Sequence, residues 1–246
     1  MIVKKFIPSE LKVRLKVWQR YLSDLSTGQL RKFVNFNLIS DPERDLCQPQ
    51  IAISQALLPT SYSENKKHNL ALAIQKIQDV AINPGEIFSF WHLVGKPDRA
   101  KGYLEGRSLV DNQLKAELGG GLCQLSGMIY FLTLKAGLVT LERHSHSHDI
   151  YTESTRFAPL GSDATIVYGY KDFRFQNNLD VSVCFRFHIE EREIQAFLCS
   201  PKSITEFNVS FNLSEVEGRV KVDTIGFDYT TNKVEILNST IYTKFS

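Results

Sequence analysis

Cys123 follows three consecutive glycines, Gly119, Gly120 and Gly121. It opens a run in which Leu122, Leu125, Ile129, Leu132 and Ala136 recur at helical spacing. The pattern predicts a helix with a buried face, capped near Gly137, with Cys123 in its first turn. Unpaired N–H groups and the positive end of the helix dipole favour an anion there, so the thiol pKa is expected to fall. Shortly beyond lies Glu142-Arg143-His144-Ser145-His146-Ser147-His148-Asp149, which holds three of the chain's six histidines. If the strand beginning at Leu138 stays extended, His144, His146 and His148 share one face. A thiol at a helix start facing imidazoles on the next strand supplies the parts of a Cys/His nucleophilic site. The bland alternative is a packed core thiol beside a tight strand-to-helix turn.

The same runs carry a resemblance. GGGLCQLSGMIY, GLVTLERHSHS and PLGSDATIVYGYKDFRFQNN, in that order, resemble the VanW-like family, and NPGEIFSFWHLVGKPDRAKGYLEGRSLVDN upstream is similar to its Pro-Gly-Glu opening. The resemblance covers about Ala52 to Asn178. It implies an association with the cell envelope and glycopeptide resistance, and supplies no reaction. Two positions depart from the family's pattern: Trp91 stands where Asn is common, and Ser182 where proline is frequent.

The family pattern ERxxHS falls on Glu142, Arg143, His146 and Ser147, which selects His146 over His144 as general base. The first reading is therefore a thiol enzyme with Cys123 as nucleophile. Gln124 or N–H groups of the Gly119–Leu122 turn would serve as oxyanion donors, and Asp163 would orient the imidazole or hold its loop. Gly119, Gly120, Gly121, Arg143, His144 and Ser147 would line the binding surface. A peptide or amide of cell-wall type is the expected substrate. A second reading is a non-catalytic module binding a small anion at the helix start. A third is a metal site using His144, His146 and either Cys123 or His148. No cofactor is expected on the first two readings.

Composition bounds the rest. The 246 residues suffice for a proper core, and 43% hydrophobic with 23% charged content is ordinary for a globular protein. A formal net charge of +2 gives no bulk electrostatic basis for nucleic-acid binding. Cys47, Cys123, Cys184 and Cys199 lie far apart without a CxxC pair, which argues for reduced thiols rather than a disulfide framework. With no apolar h-region near the start, a cytoplasmic location is expected.

Three parts are expected: a basic helical extension over 1–45, a VanW-like core over 46–180 and a β-rich extension over 181–246. In the first, Lys4, Lys5, Lys12, Arg14, Lys16 and Arg20 face one acid, Glu10. Leu11, Leu15, Trp18, Leu22 and Leu25 follow Ser9, the expected N-cap, at helical spacing. Such a stripe docks on its own domain or lies on the anionic inner face of a membrane. A short helix is expected near 27–36, and Ser40–Asp45 reads as a linker. In the last part, alternation places Cys184 and His188 on the polar face of a strand. The fold class predicted is α+β, with the Cys123 helix packed on a mostly antiparallel sheet.

Overall fold

The computed structural model describes residues 8–110, 113–149, 158–228 and 233–244. In chain order the elements are α1 (Ser9–Ser26), α2 (Asp41–Leu46), β1 (Gln48–Ala56), α3 (Ser63–Ile77), β2 (Ile87–Ser89), α4 (Phe90–Val94), β3 (Glu105–Val110) and β4 (Gln113–Leu118). After α5 (Leu122–Lys135) come β5 (Val139–Glu142), β6 (His148–Asp149), β7 (Arg174–Gln176), β8 (Cys184–Ile189) and β9 (Glu193–Ser200). The series ends with β10 (Asn208–Val216), β11 (Arg219–Asp228) and β12 (Lys233–Lys244). The class is α+β, as expected.

Strands assemble in the orders β1-β9-β8, β2-β7-β5 and β3-β4, all antiparallel. In the fourth sheet β10, β11 and β12 run antiparallel, and the two-residue β6 joins β12 in parallel. The first sheet draws strands from both sides of residue 180. Phe185, Ile194 and Leu198 accordingly share one core with Leu70, Phe88 and Leu125.

At the centre of that core is α5, buried around most of its circumference. Its leucines and Ile129 meet the body on several sides. Burying each such side chain stabilises the fold by about 1.5–3 kcal/mol. An aromatic group ties the layers together. Phe88 stacks on Phe175 with ring centroids 5.0 Å apart, Phe175 meets Phe185 edge-on at 5.9 Å, and Tyr130 of α5 meets Phe173 at 5.6 Å. β7 is the middle strand of its sheet.

Other local expectations change in the N-terminal part. Pro8, not Ser9, occupies the N-cap of α1. The helix expected near 27–36 is a 3-10 turn over Gln29–Lys32. The stretch read as a linker is α2, started by a capping box: the Ser40 N–H donates to Glu43 Oε2 at 2.9 Å, and proline sits in the first turn. The stripe of α1 does not dock on the body. The helix attaches through its opposite side, and Leu11, Leu15, Trp18, Leu22 and Leu25 remain exposed.

Candidate functional site

The Gly119–Gly121 turn is shaped by the chain itself. Gly119 and Gly121 hold φ of 77° and 102°, which L side chains rarely adopt. Gly120 is needed for a different reason: a Cβ there would lie 2.1 Å from the Gly106 carbonyl carbon of β3. The close approach is therefore to a neighbouring strand. The turn's donors are also engaged, Gly119 N–H with Leu104 O at 3.0 Å, Gly120 N–H with Glu117 O at 3.1 Å and Leu122 N–H with Gly119 O at 3.3 Å. These three N–H groups are not open to an oxyanion.

From this turn α5 presents Cys123, Ser126 and Gly127 on one face, spaced three and four residues apart. All three meet the segment 162–166. Ser126 Oγ donates to Ala164 O at 2.5 Å, and Gly127 lies against Ser162 and Asp163. Cys123 Sγ donates to Ile166 O at 3.8 Å. Burial pushes this thiol's pKa up, and the negative charge of Asp163 adds to the effect. The expected fall does not occur, because desolvation of a thiolate outweighs the helix start.

The histidine segment comes against the same strip from the other side. β5 ends at Glu142, so His144 and His146 do not continue an extended strand. His146 N–H donates to Asp163 Oδ2 at 2.6 Å, and His146 Nδ1 shares a 2.9 Å hydrogen bond with the Thr165 hydroxyl. The Thr165 N–H donates to His144 O at 2.6 Å. Burial lowers the His146 pKa, opposed by Asp163 and assisted by Lys171 and Arg143, so the ring is neutral near pH 7. His144 turns elsewhere, its Nε2 lying 2.9 Å from Glu142 Oε1. The His148 side chain lies outside the described residues. Among those described, no group of three His, Cys, Asp or Glu is arranged to hold a metal ion.

Asp163 holds the loop and touches the backbone of His146 rather than its ring. Its Oδ1 accepts from Arg143 Nη2 at 2.9 Å and from the Tyr242 hydroxyl at 2.5 Å. Arg143 is a clamp: it also donates to Asp163 O at 2.8 Å, Gly161 O at 3.1 Å, Thr240 Oγ1 at 2.6 Å and Tyr242 Oη at 3.0 Å, and lies over the Tyr130 ring. Ser147 O accepts from Thr243 N–H at 3.0 Å, another tie to β12. Gln124 points to β1, donating to Gln55 Oε1 at 3.2 Å and Ala56 O at 3.1 Å. Its amide is committed there, and the proposed oxyanion role is not what these bonds provide.

Sequence reasoning missed Thr165, Thr240 and Tyr242. Thr165 lay inside a noted motif, whereas nothing near Thr240 or Tyr242 signals a partner for Arg143. It also did not foresee that three of the cysteines, far apart in sequence, lie together. Cys47 Sγ and Cys184 Sγ are 3.3 Å apart, and Cys184 sits opposite Cys199 in the β8–β9 ladder. All three are buried and free, beside Arg186, so Cys184 is not on a solvated face.

Comparison with known proteins places the chain in a family. The family model described as VanW like protein matches residues 65–199, more than half of the chain. The uncharacterized protein YoaR of Bacillus subtilis (strain 168) is 30% identical over 177 residues, which cover 72% of this chain and 50% of that protein. The vancomycin B-type resistance protein VanW of Enterococcus faecalis (strain ATCC 700802 / V583) is 35% identical over 119 residues, covering 48% of this chain and 43% of that protein. The chain spans about half the length of these curated relatives. No solved structure matches it. The matched span contains Cys123, His146, Asp163 and Thr165 together, and the chain belongs to the VanW-like family.

Proposed function

We propose that the chain is a thiol-dependent enzyme acting on a peptide or amide of cell-wall type, with Cys123 as nucleophile and His146 as base. One observation carries this reading: Cys123 Sγ and the His146 ring hang from consecutive residues, Ile166 and Thr165. The pair rests as neutral thiol and neutral imidazole. A bound acyl group would displace the Sγ–Ile166 contact. The thiol proton then passes to the ring, sulfur bonds to the carbonyl carbon, and the ring returns the proton to the departing amine as the C–N bond breaks. The cell-wall class of substrate is our extension from the Enterococcus relative, whose name refers to vancomycin resistance.

A second reading, a non-catalytic module for a small anion, is favoured by one feature. The Lys66 side chain packs over Gly121, and burial together with the nearby Arg107 lowers its pKa to about 8. An anion at that turn would favour the charged ammonium. One experiment separates the two. The protein and its Cys123→Ala variant are incubated with a muramyl-peptide panel, and products are followed by mass spectrometry while binding is measured by calorimetry. The enzyme reading expects turnover that falls at least about 100-fold in the variant, with binding kept. Binding of equal affinity with no turnover in either protein overturns it in favour of the module.

A further inference from the structure

The hydrogen-bonding face of α1 is turned inward and its apolar face outward. Arg20 Nη2 lies 2.5 Å from Glu142 Oε2, and Arg20 Nη1 donates to Tyr170 O at 3.4 Å. Asp24 takes both ends of the Arg174 guanidinium at 2.7 and 3.0 Å. Val13 and Val17 pack over Gly169. At about 100° per residue these four positions form one side of the helix, and Leu11, Leu15, Trp18, Leu22 and Leu25 form the other. That second side is between 47% and 63% exposed at every position. Tyr21 flanks it at 44% and meets Trp18 edge-on. Scattered exposed leucines are ordinary, but five large side chains in one continuous stripe mark a contact surface.

The charges select the occupant. Asp24 is sequestered by Arg174, which leaves Glu10 as the other carboxylate of the helix. Lys12, Arg14 and Lys16 are all exposed beside the stripe, and among the described residues none of them forms an ion pair. A second copy of the same face would bring like charges together. An anionic lipid surface complements them, and Trp18 and Tyr21 are residue types that settle at the lipid headgroup level. The helix spans roughly 27 Å. Among the described residues no helix is long and apolar enough to cross a membrane, so this one would lie in the interface plane.

We propose that α1 docks the protein on an anionic membrane surface, burying the Leu11–Leu15–Trp18–Leu22–Leu25 stripe among the lipids while Arg20 and Asp24 hold the helix to the body. The proposal does not depend on the chemistry of Cys123. The whole chain is sedimented with vesicles of phosphatidylcholine alone or containing phosphatidylglycerol, beside a Leu15→Glu/Trp18→Glu/Leu22→Glu variant. These side chains face solvent, so the variant is expected to fold, and circular dichroism checks this. The expected result is at least tenfold stronger binding to the anionic vesicles, weakened by salt and lost in the variant. Three outcomes overturn the proposal: no binding to anionic vesicles, binding that survives the triple substitution, or lipid-free dimers in light scattering that the substitution abolishes.

Discussion

At Cys123 two effects of opposite sign meet. A helix start favours the thiolate, whereas removal from water disfavours it. Burial wins, and the sulfur rests as a neutral donor to the Ile166 carbonyl. A raised thiol pKa fixes the pH dependence of its reactivity: the nucleophilic form is scarce at neutrality and accumulates only above the ordinary thiol range, about 8.5. Iodoacetamide labelling of Cys123, followed by peptide mass spectrometry, should be slow at pH 6 and rise through the alkaline range. Rapid labelling at pH 6 would contradict the half-buried, neutral state. The position of Cys123 in a first turn was legible because glycine chemistry and helical spacing are local. Its solvation was not, since that depends on residues 162–166, which arrive about forty positions later. Asp163 was read as a loop anchor from its place after a glycine turn, but its carboxylate takes the distant His146 N–H, Arg143 and Tyr242 rather than local N–H groups, which local sequence does not announce.

The legible elements are those with strong periodicity. α5 and the alternating β8 follow from the spacing of their apolar residues. Failures cluster where a short polar stretch is ordered by its surroundings. Ser40–Asp45 becomes α2 through a capping box, and the histidine stretch leaves β5 because Asp163 and Thr165 bind it. For α1 the period was right, and of the two fates expected for its stripe, docking on the body does not occur. Periodicity locates an apolar side and cannot say whether the body supplies a better partner for the polar one. Here it does, through Arg20, Asp24, Glu142 and Arg174. For Glu142, burial alone would raise the pKa. The Arg20 guanidinium, the Asp172 N–H and His144 outweigh that and hold it below its ordinary value. A depressed carboxylate pKa contributes stability present above the unfolded value and lost as pH falls through the folded one. The latch should therefore hold at pH 7 and 5 and loosen only once pH falls below the ordinary carboxylate range. Hydrogen exchange of the α1 amides should accelerate there before those of α5, and equal protection of both helices at pH 3 would show that Glu142 does not govern the attachment.

Across the whole molecule, the site depends on a part of the chain with no recognisable motif. The family match ends at residue 199, yet the β10–β12 sheet beyond it closes over α5. Phe211 packs 5.7 Å from Phe131, Phe207 covers Gly137, and Asn238 donates to the Tyr130 hydroxyl at 3.4 Å. Tyr242 reaches furthest, its buried hydroxyl donating to Asp163 and accepting from Arg143. Sequence patterning predicts these strands from alternation and turn residues, but the docking of one sheet on another leaves no local trace. Burial raises the Tyr242 pKa, so the phenol stays protonated and remains a donor through neutral and mildly alkaline pH. Tyr242→Phe keeps the ring and removes only the hydroxyl. If the sheet contributes apolar cover alone, the variant should unfold at the parent's denaturant midpoint. If the hydroxyl completes the Arg143–Asp163 clamp, the loss should be about 1–3 kcal/mol, the cost of leaving a buried polar partner unmatched. Urea unfolding of the two proteins side by side decides it. The geometry favours the loss, because Arg143 is nearly fully enclosed and would keep its charge while giving up one of its acceptors.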